Sequence, residues 1–327
     1  MITEKVSILM PVKNASPFLK ECVTSIINQS YVNWELLAVD DASEDDSLKM
    51  LQDFASIDHR IKVFSNSGKG IISALSTAFS ESNGEFIHRM DADDVMPNEK
   101  LDILVTLLKG KKRTVVTGRV QYFSDAKVSD GYTDYQNWIN GISDYSAEVY
   151  RECTIASPNW LVSRQCFIED ISIQELDYPE DYDLVLKWYA LGYTFLKTDE
   201  ITHFWREHPD RTSRNSDIYQ QESFFRLKLK HFIKNELDSS EPIQLIGANS
   251  KGKLAASILS GLDQPFEWFD YNKRRVASNN VVKDLKELRP EIKSLLANWP
   301  KEPQKQQEIE QFMSIKGFVK GKNYWIL

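Results

Sequence analysis

The order of strand and helix signals predicts an α/β fold: a doubly wound, mostly parallel sheet followed by a smaller α/β domain. Three observations carry this. The first hundred residues alternate apolar runs and amphipathic segments in the order β-α-β-α-β-α-β. Acidic residues stand at the ends of two of those strands, at Asp40-Asp41 and from Asp91 to Asp94. After a polar run, Lys234 to Pro242, the alternation starts again.

Val6 to Met10 reads as a buried strand. Ser16 and Pro17 then supply an N-cap and a first-turn residue for a helix with Leu19, Cys22, Val23, Ile26 and Ile27 on its inner face. Trp34 to Val39 is a second strand, ending at Asp40-Asp41. Ser43 opens a capping-box-like Ser-x-x-Asp before a helix bearing Leu48, Leu51 and Phe54. Ile61 to Phe64 is a third strand, and a helix through Ala74, Leu75 and Ala78 stops near Gly84. Glu85 to Met90 is the fourth strand. Residues 118 to 175 are less regular and rich in Tyr and Trp. Glu180-Asp181 starts a helix carrying Leu184, Leu186, Trp188 and Leu191, closed by Gly192. Beyond the polar run come strand Ile243 to Ile246, a glycine turn, helix Leu254 to Leu259 and strand Phe266 to Phe269. The break near residue 240 divides the chain into domains 1–235 and 236–327.

Composition bounds the function. With 327 residues, two cores are expected rather than one. A 42% hydrophobic and 27% charged chain is an ordinary globular protein. A net charge of −8 argues against general nucleic-acid binding, which needs concentrated Lys and Arg. No apolar run reaches the ~18 residues of a membrane span. The N-terminal Met-Ile-Thr-Glu-Lys lacks the apolar core of a signal peptide. Cys22, Cys153 and Cys166 are odd in number and show no CxxC spacing. A cytoplasmic protein is expected, with at most peripheral membrane contact at the inner face.

The chemistry concentrates in Phe86-Ile-His-Arg-Met-Asp91-Ala-Asp93-Asp94. Three carboxylates within four positions repel one another unless a cation or a buried proton offsets them. Hard oxygen ligands at a strand end suit Mg²⁺ or Mn²⁺, which bridge protein carboxylates to a substrate diphosphate. The plainer reading is an acidic turn before a helix opened by Pro97. In doubly wound sheets ligands collect beyond the carboxyl ends of the strands, so Asp41 and Asp93 should meet at one rim.

The segments VSILMPVKN (6–14), WELLAVDDASEDDS (34–47), GEFIHRMDADDVMPNEKL (84–101), PEDYDLVLKWYALGY (179–193) and FWREHPDRTS (204–213) resemble, in order and spacing, the family 2 glycosyltransferases of the GT-A type. The resemblance spans residues 5 to about 215. It implies a metal-dependent, inverting transfer of a sugar from a nucleotide-sugar donor to a hydroxyl of a glycan or lipid-linked acceptor. Pro11 and the loop after it would line the base and ribose pocket. Asp41 would accept a hydrogen bond from the base, which suits the N3–H of uracil and favours a UDP-sugar. Asp91 and Asp93 match the D-x-D pair, Asp93 binding Mn²⁺ or Mg²⁺ and Asp91 reaching metal or ribose. Asp94 would cap the next helix or orient its neighbours. Asp181 matches the general base. Arg206, His208 and Ser213 match the segment over the diphosphate, with His208 a further metal ligand. Lys13 departs from the family, which often carries an aromatic residue there. The Gln/Arg-x-x-Arg-Trp motif of processive synthases is missing, so single-residue transfer is expected.

Two other classes stay open at this stage. A sugar-nucleotide nucleotidyltransferase also uses a doubly wound sheet and acidic metal ligands, but Pro11-Val-Lys-Asn-Ala-Ser supplies no glycine-rich basic loop. A non-catalytic nucleotide-binding module would work through the C-terminal domain. There Gly247-Ala-Asn-Ser-Lys-Gly252-Lys253 formally fits a P-loop, yet Leu254 replaces the Ser or Thr that would bind Mg²⁺. With Asp270 ending the next strand, the segment reads as a small Rossmann-like unit, its glycines serving a nucleotide or close packing. Trp160, in the irregular region, is a candidate stacking face for the acceptor.

Overall fold

The computed structural model describes residues 4–125, 127–211, 216–238, 241–270 and 282–327. It divides into two compact units, 1–142 with 155–215, and 143–154 with 216–327. The helix Gln221–Glu236 therefore groups with the second unit, ahead of the break expected near residue 240.

Among its described residues, the first unit holds a seven-stranded sheet in the order β3-β2-β1-β4-β6-β5-β7. The strands are β1 Val6–Val12, β2 Trp34–Asp40, β3 Ile61–Ser65, β4 Phe86–Arg89, β5 Thr114–Phe123, β6 Leu161–Ser163 and β7 Thr194–Arg206. All pairings are parallel except those of β6, which runs against both β4 and β5. β1 and β2 are almost wholly buried, as expected of parallel strands covered on both faces. On one face lie α1 (Ser16–Ile27), α2 (Ser47–Ile57) and α4 (Lys100–Leu108), whose Leu19, Cys22, Ile26, Leu51, Leu101 and Leu104 share one apolar core with alternate residues of β1 and β2. Helix α3 (Ile71–Glu81) also packs on β1 and β2 and buries Ala74, Leu75 and Ala78. Because β1 lies between β2 and β4, with Val12 opposite Asp40 and Leu9 opposite Arg89, both acidic ends emerge at the same rim.

Local detail corrects the sequence reading in four places. Ser16 is the first residue of α1, not its cap. The N–H groups of Ala15 and Ser16 are met instead by Ser47 Oγ (2.8 Å) and Asp45 Oδ2 (2.9 Å) from the β2–α2 segment. Ser43 makes no capping box, since α2 begins at Ser47; its hydroxyl accepts the Asn14 N–H. Gly84 does not end α3, which is capped at Ser82. It is needed because a Cβ there would sit 2.6 Å from the Lys5 carbonyl oxygen. Residues 118–175, read as irregular, contain most of β5, then α5 (Asp130–Gly141), α6 (Tyr145–Glu148) and β6.

Among its described residues, the second unit carries five parallel strands, β8 Ile243–Ile246, β9 Phe266–Phe269, β10 Val282–Lys283, β11 Ser294–Leu296 and β12 Tyr324–Ile326, ordered β10-β9-β8-β11-β12. This is the doubly wound order. Gly247 adopts φ +107°, and a Cβ on Gly252 would lie 2.0 Å from the Gly247 carbonyl oxygen. Two of the turn's donors are used internally: Asp270 Oδ2 accepts the Ala248 N–H (2.7 Å) and Asn249 Oδ1 the Gly252 N–H (2.9 Å). Both glycines thus have a packing reason to be there. Segment 143–154 contributes Tyr150, whose ring packs edge-on against Phe232 (5.3 Å) and Trp325 (6.1 Å), while its hydroxyl donates to Glu236 (3.0 Å). No helix among the described residues is long and apolar enough to cross a membrane.

Candidate active site

The β2 end presents Asp41, whose backbone is fixed by donation to the Val12 carbonyl (2.8 Å). Its carboxylate accepts Asn66 Nδ2 (2.6 Å) and the Gly70 N–H (3.0 Å), with Lys13 Nζ 3.7 Å away. Pro11 lies on β1 opposite Val39. The β2 and β3 ends are therefore tied together beside Pro11.

The β4 end carries the three acids into different surroundings. Arg89, nearly buried on β4, donates Nε to Asp91 Oδ1 and a terminal nitrogen to Glu180 Oε1, both at 2.9 Å. Burial raises the Asp91 carboxyl above its usual range, with Arg89 opposing the rise. Asp93 Oδ2 lies 2.9 Å from His208 Nε2. Burial would raise Asp93 too, but the His208 bond and the Arg211 charge outweigh it and bring it below the usual range. Asp94 points into the protein, 3.0 Å from His203 Nε2, and its Oδ1 accepts the Arg206 N–H (2.8 Å). It orients its neighbours and does not cap α4, which starts six residues later at Lys100. Burial draws the Lys100 ammonium down to about 7, against the pull of Asp94 and Asp91.

Asp181 is half-buried in the first turn of α7 (Glu180–Ala190), where it accepts the Tyr182 N–H (2.8 Å). Burial and the neighbouring Glu180 push its carboxyl up to about 7, with Arg89 pulling the other way. Glu180 is the buried member of the pair. Arg206 donates Nε to the Asp93 carbonyl (2.7 Å) and a terminal nitrogen to Glu21, between the Phe18 and Phe123 rings. The guanidinium thus fastens the acidic turn to α1. Ser213 lies outside the described residues. Trp160 is no stacking face: it is buried against His88, Phe167 and Trp188.

The structure adds residues that the sequence reading passed over. Arg89 binds two of the acidic segments. Arg211 lies over the Trp205 ring at 5.1 Å, close enough to Asp93 and Asp94 to be influenced by both. Asn66 holds Asp41. The one available signal was an arginine inside the apolar strand Phe86 to Met90, where only a buried partner makes such a charge tolerable.

The residues present fit a divalent cation. Asp93 Oδ2 and His208 Nε2, 2.9 Å apart, are an oxygen and a nitrogen that would hold it, and His208 Nδ1 is buried with no hydrogen-bond partner among the described residues. No three Asp, Glu, His or Cys side chains form a complete cage among the described residues. Mg²⁺ is commonly held by only one or two protein carboxylates, with substrate phosphates and waters completing the shell.

A family profile described as Glycosyl transferase family 2 matches residues 7–170. Glycosyltransferase GlyG of Streptococcus pneumoniae serotype 4 is 24% identical over 290 residues, 88% of this chain and 89% of that protein. Among solved structures, S. aureus TarS 1-349 in complex with UDP-GlcNAc superposes with a TM-score of 0.56 at 16% identity, covering 78% of this chain and 71% of TarS. The mannosyltransferase PcManGT from Pyrobaculum calidifontis, in complex with GDP-Man and Mn²⁺, gives 0.53 at 15% identity, covering 80% and 76%. At such identities the two structures speak for the fold alone, and it is the fold found here. The acids at one rim, the GT-A-type sheet and the profile match agree: this chain belongs to glycosyl transferase family 2 and is a glycosyltransferase.

Proposed function

We propose that the protein is a divalent-cation-dependent, inverting glycosyltransferase that moves a sugar from a UDP-sugar to a hydroxyl of a glycan or lipid-linked sugar. One observation carries the reading. Arg89 bonds both Asp91 and Glu180, so the acidic turn and the start of α7 form a single site. Asp93 and His208 would hold Mn²⁺ or Mg²⁺. A cation there supplies positive charge against the leaving diphosphate as a Lewis acid. Asp181, raised to about 7, suits a base that takes the acceptor hydroxyl's proton as it attacks opposite the leaving group. Asp41 offers a carboxylate acceptor beside Pro11, the chemistry a uracil N3–H needs. The UDP-GlcNAc bound by TarS and the GDP-Man and Mn²⁺ bound by PcManGT support a nucleotide-sugar donor and a divalent cation.

The test is release of nucleoside diphosphate from a panel of UDP- and GDP-sugars, with EDTA and then added Mn²⁺. UDP release that EDTA abolishes and Mn²⁺ restores is expected. Turnover that survives EDTA overturns the cation role, and preference for a GDP-sugar overturns the donor.

A further inference from the structure

Behind the acidic turn lies a line of three buried polar groups that sugar transfer does not use directly. Lys100 is fully buried, as is His203, and Asp94 is 1% exposed. Lys100 Nζ donates to the Pro158 carbonyl (2.7 Å) and lies 3.2 Å from His203 Nδ1. His203 Nε2 lies 3.0 Å from Asp94 Oδ2. The trio carries no net charge whichever end holds the proton. Asp94 Oδ1 also accepts the Arg206 backbone N–H (2.8 Å), which ties the line to the segment before His208.

The line ends on the two segments that carry the candidate cation ligands. Asp94 is bonded to the segment that leads to His208, and it adjoins Asp93 in the chain. The same two segments are stitched by a bridge between Val95 and Phe204 (3.0 and 3.1 Å) and by Arg206 Nε on the Asp93 carbonyl. We propose that Lys100 and His203 are positioning residues for the Asp93–His208 cation pair, acting through Asp94. The inference rests on the cation-dependent reading above. Buried polar groups this costly to desolvate hold one geometry only while the whole line is complete.

The experiment measures Mn²⁺ binding to the full chain in the presence of UDP, from the loss of the free-ion paramagnetic resonance signal, alongside melting temperature. Relative to wild type, His203→Leu and Lys100→Met weaken Mn²⁺ binding about 10- to 100-fold, the usual effect of removing a group that orients a ligand. His203→Gln, whose carboxamide can accept from Lys100 and donate to Asp94, binds Mn²⁺ close to wild type. Asp94→Asn keeps the shape but turns an acceptor into a donor, and weakens binding like His203→Leu; it serves if the apolar variants fail to fold. A purely structural role would lower the melting temperature and leave Mn²⁺ affinity unchanged, overturning the proposal. So would His203→Gln binding no better than His203→Leu. If wild type itself takes up no Mn²⁺ with UDP, the cation-dependent reading falls instead.

Discussion

Arg89 and Glu180 stand 91 positions apart in the chain, yet their side chains meet at 2.9 Å with neither more than 6% exposed. The same guanidinium holds Asp91. Replacing it with Met removes the cation from between two acids while roughly keeping the volume. Breaking a buried pair by deleting one partner costs about 3–5 kcal/mol. Arg89→Met should therefore lower the unfolding free energy by that amount, seen in urea melts as a lower midpoint with an unchanged m-value. A loss under about 1 kcal/mol would show that the pair is not what holds α7 to β4.

Asp181→Asn should fold normally, bind UDP as wild type does, and lose about 10²- to 10⁴-fold in turnover, the range for a proton-transfer group. The pH dependence follows from its raised carboxyl. The base form is present only above its own value of about 7, so turnover should climb from pH 5 and level off above about 7. A profile already flat at pH 5, or near-normal turnover in the Asn variant, removes Asp181 from the reaction.

Glu35 gives the opposite sign. Burial tends to raise its carboxyl, but bonds from Lys5, Lys62, Ser7 and the Asn83 N–H outweigh it and bring it from 4.5 to about 2. A depressed carboxyl stabilises the fold above its unfolded value and stops doing so as pH falls through the folded one. That shift is worth about 3 kcal/mol at neutral pH. Glu35→Gln should be less stable than wild type by that order at pH 7, and the gap should close between pH 4.5 and 2. Urea melts of both proteins across that window decide it; a gap constant with pH rules Glu35 out as the acid-sensitive group.

Gly252 tests the glycine turn of the second unit. In an exposed helix, Gly→Ala stabilises by about 1 kcal/mol. Here the added methyl would meet the Gly247 carbonyl oxygen at 2.0 Å, and overpacking typically costs about 1–3 kcal/mol. The clash should win, so Gly252→Ala lowers the melting temperature; a rise would mean the turn yields freely.

What the chain made legible was whatever depends on near neighbours. The alternation of β1 to β4 with α1 to α3 was readable because each element's apolar spacing is its own. The resemblance proposed Asp41, Asp91, Asp93, Asp181 and His208 as site residues, and the rim that Asp41 and the acidic turn share followed from parallel strands. Caps failed where the partner came from elsewhere: Ser47 and Asp45 serve the start of α1 from thirty residues away, leaving Ser16 without that task. β6 is three residues long and reversed between β4 and β5, too short for any period to register. Trp160 reads from the sequence as a candidate stacking face for the acceptor because its burial depends on Phe167 and Trp188, which nothing local announces. Arg89 needed Glu180, and that pairing exists only in three dimensions.

The interleaving of residues 143–154 with 216–327 has a consequence for how such a protein can change. The chain passes from one compact unit to the other three times, at 142/143, 154/155 and 215/216. A genetic crossover at a single point could not graft a foreign C-terminal module intact, because Tyr150 and its neighbours would stay behind with the donor of the front half. Moving the second unit intact requires both 143–154 and 216–327 to travel together.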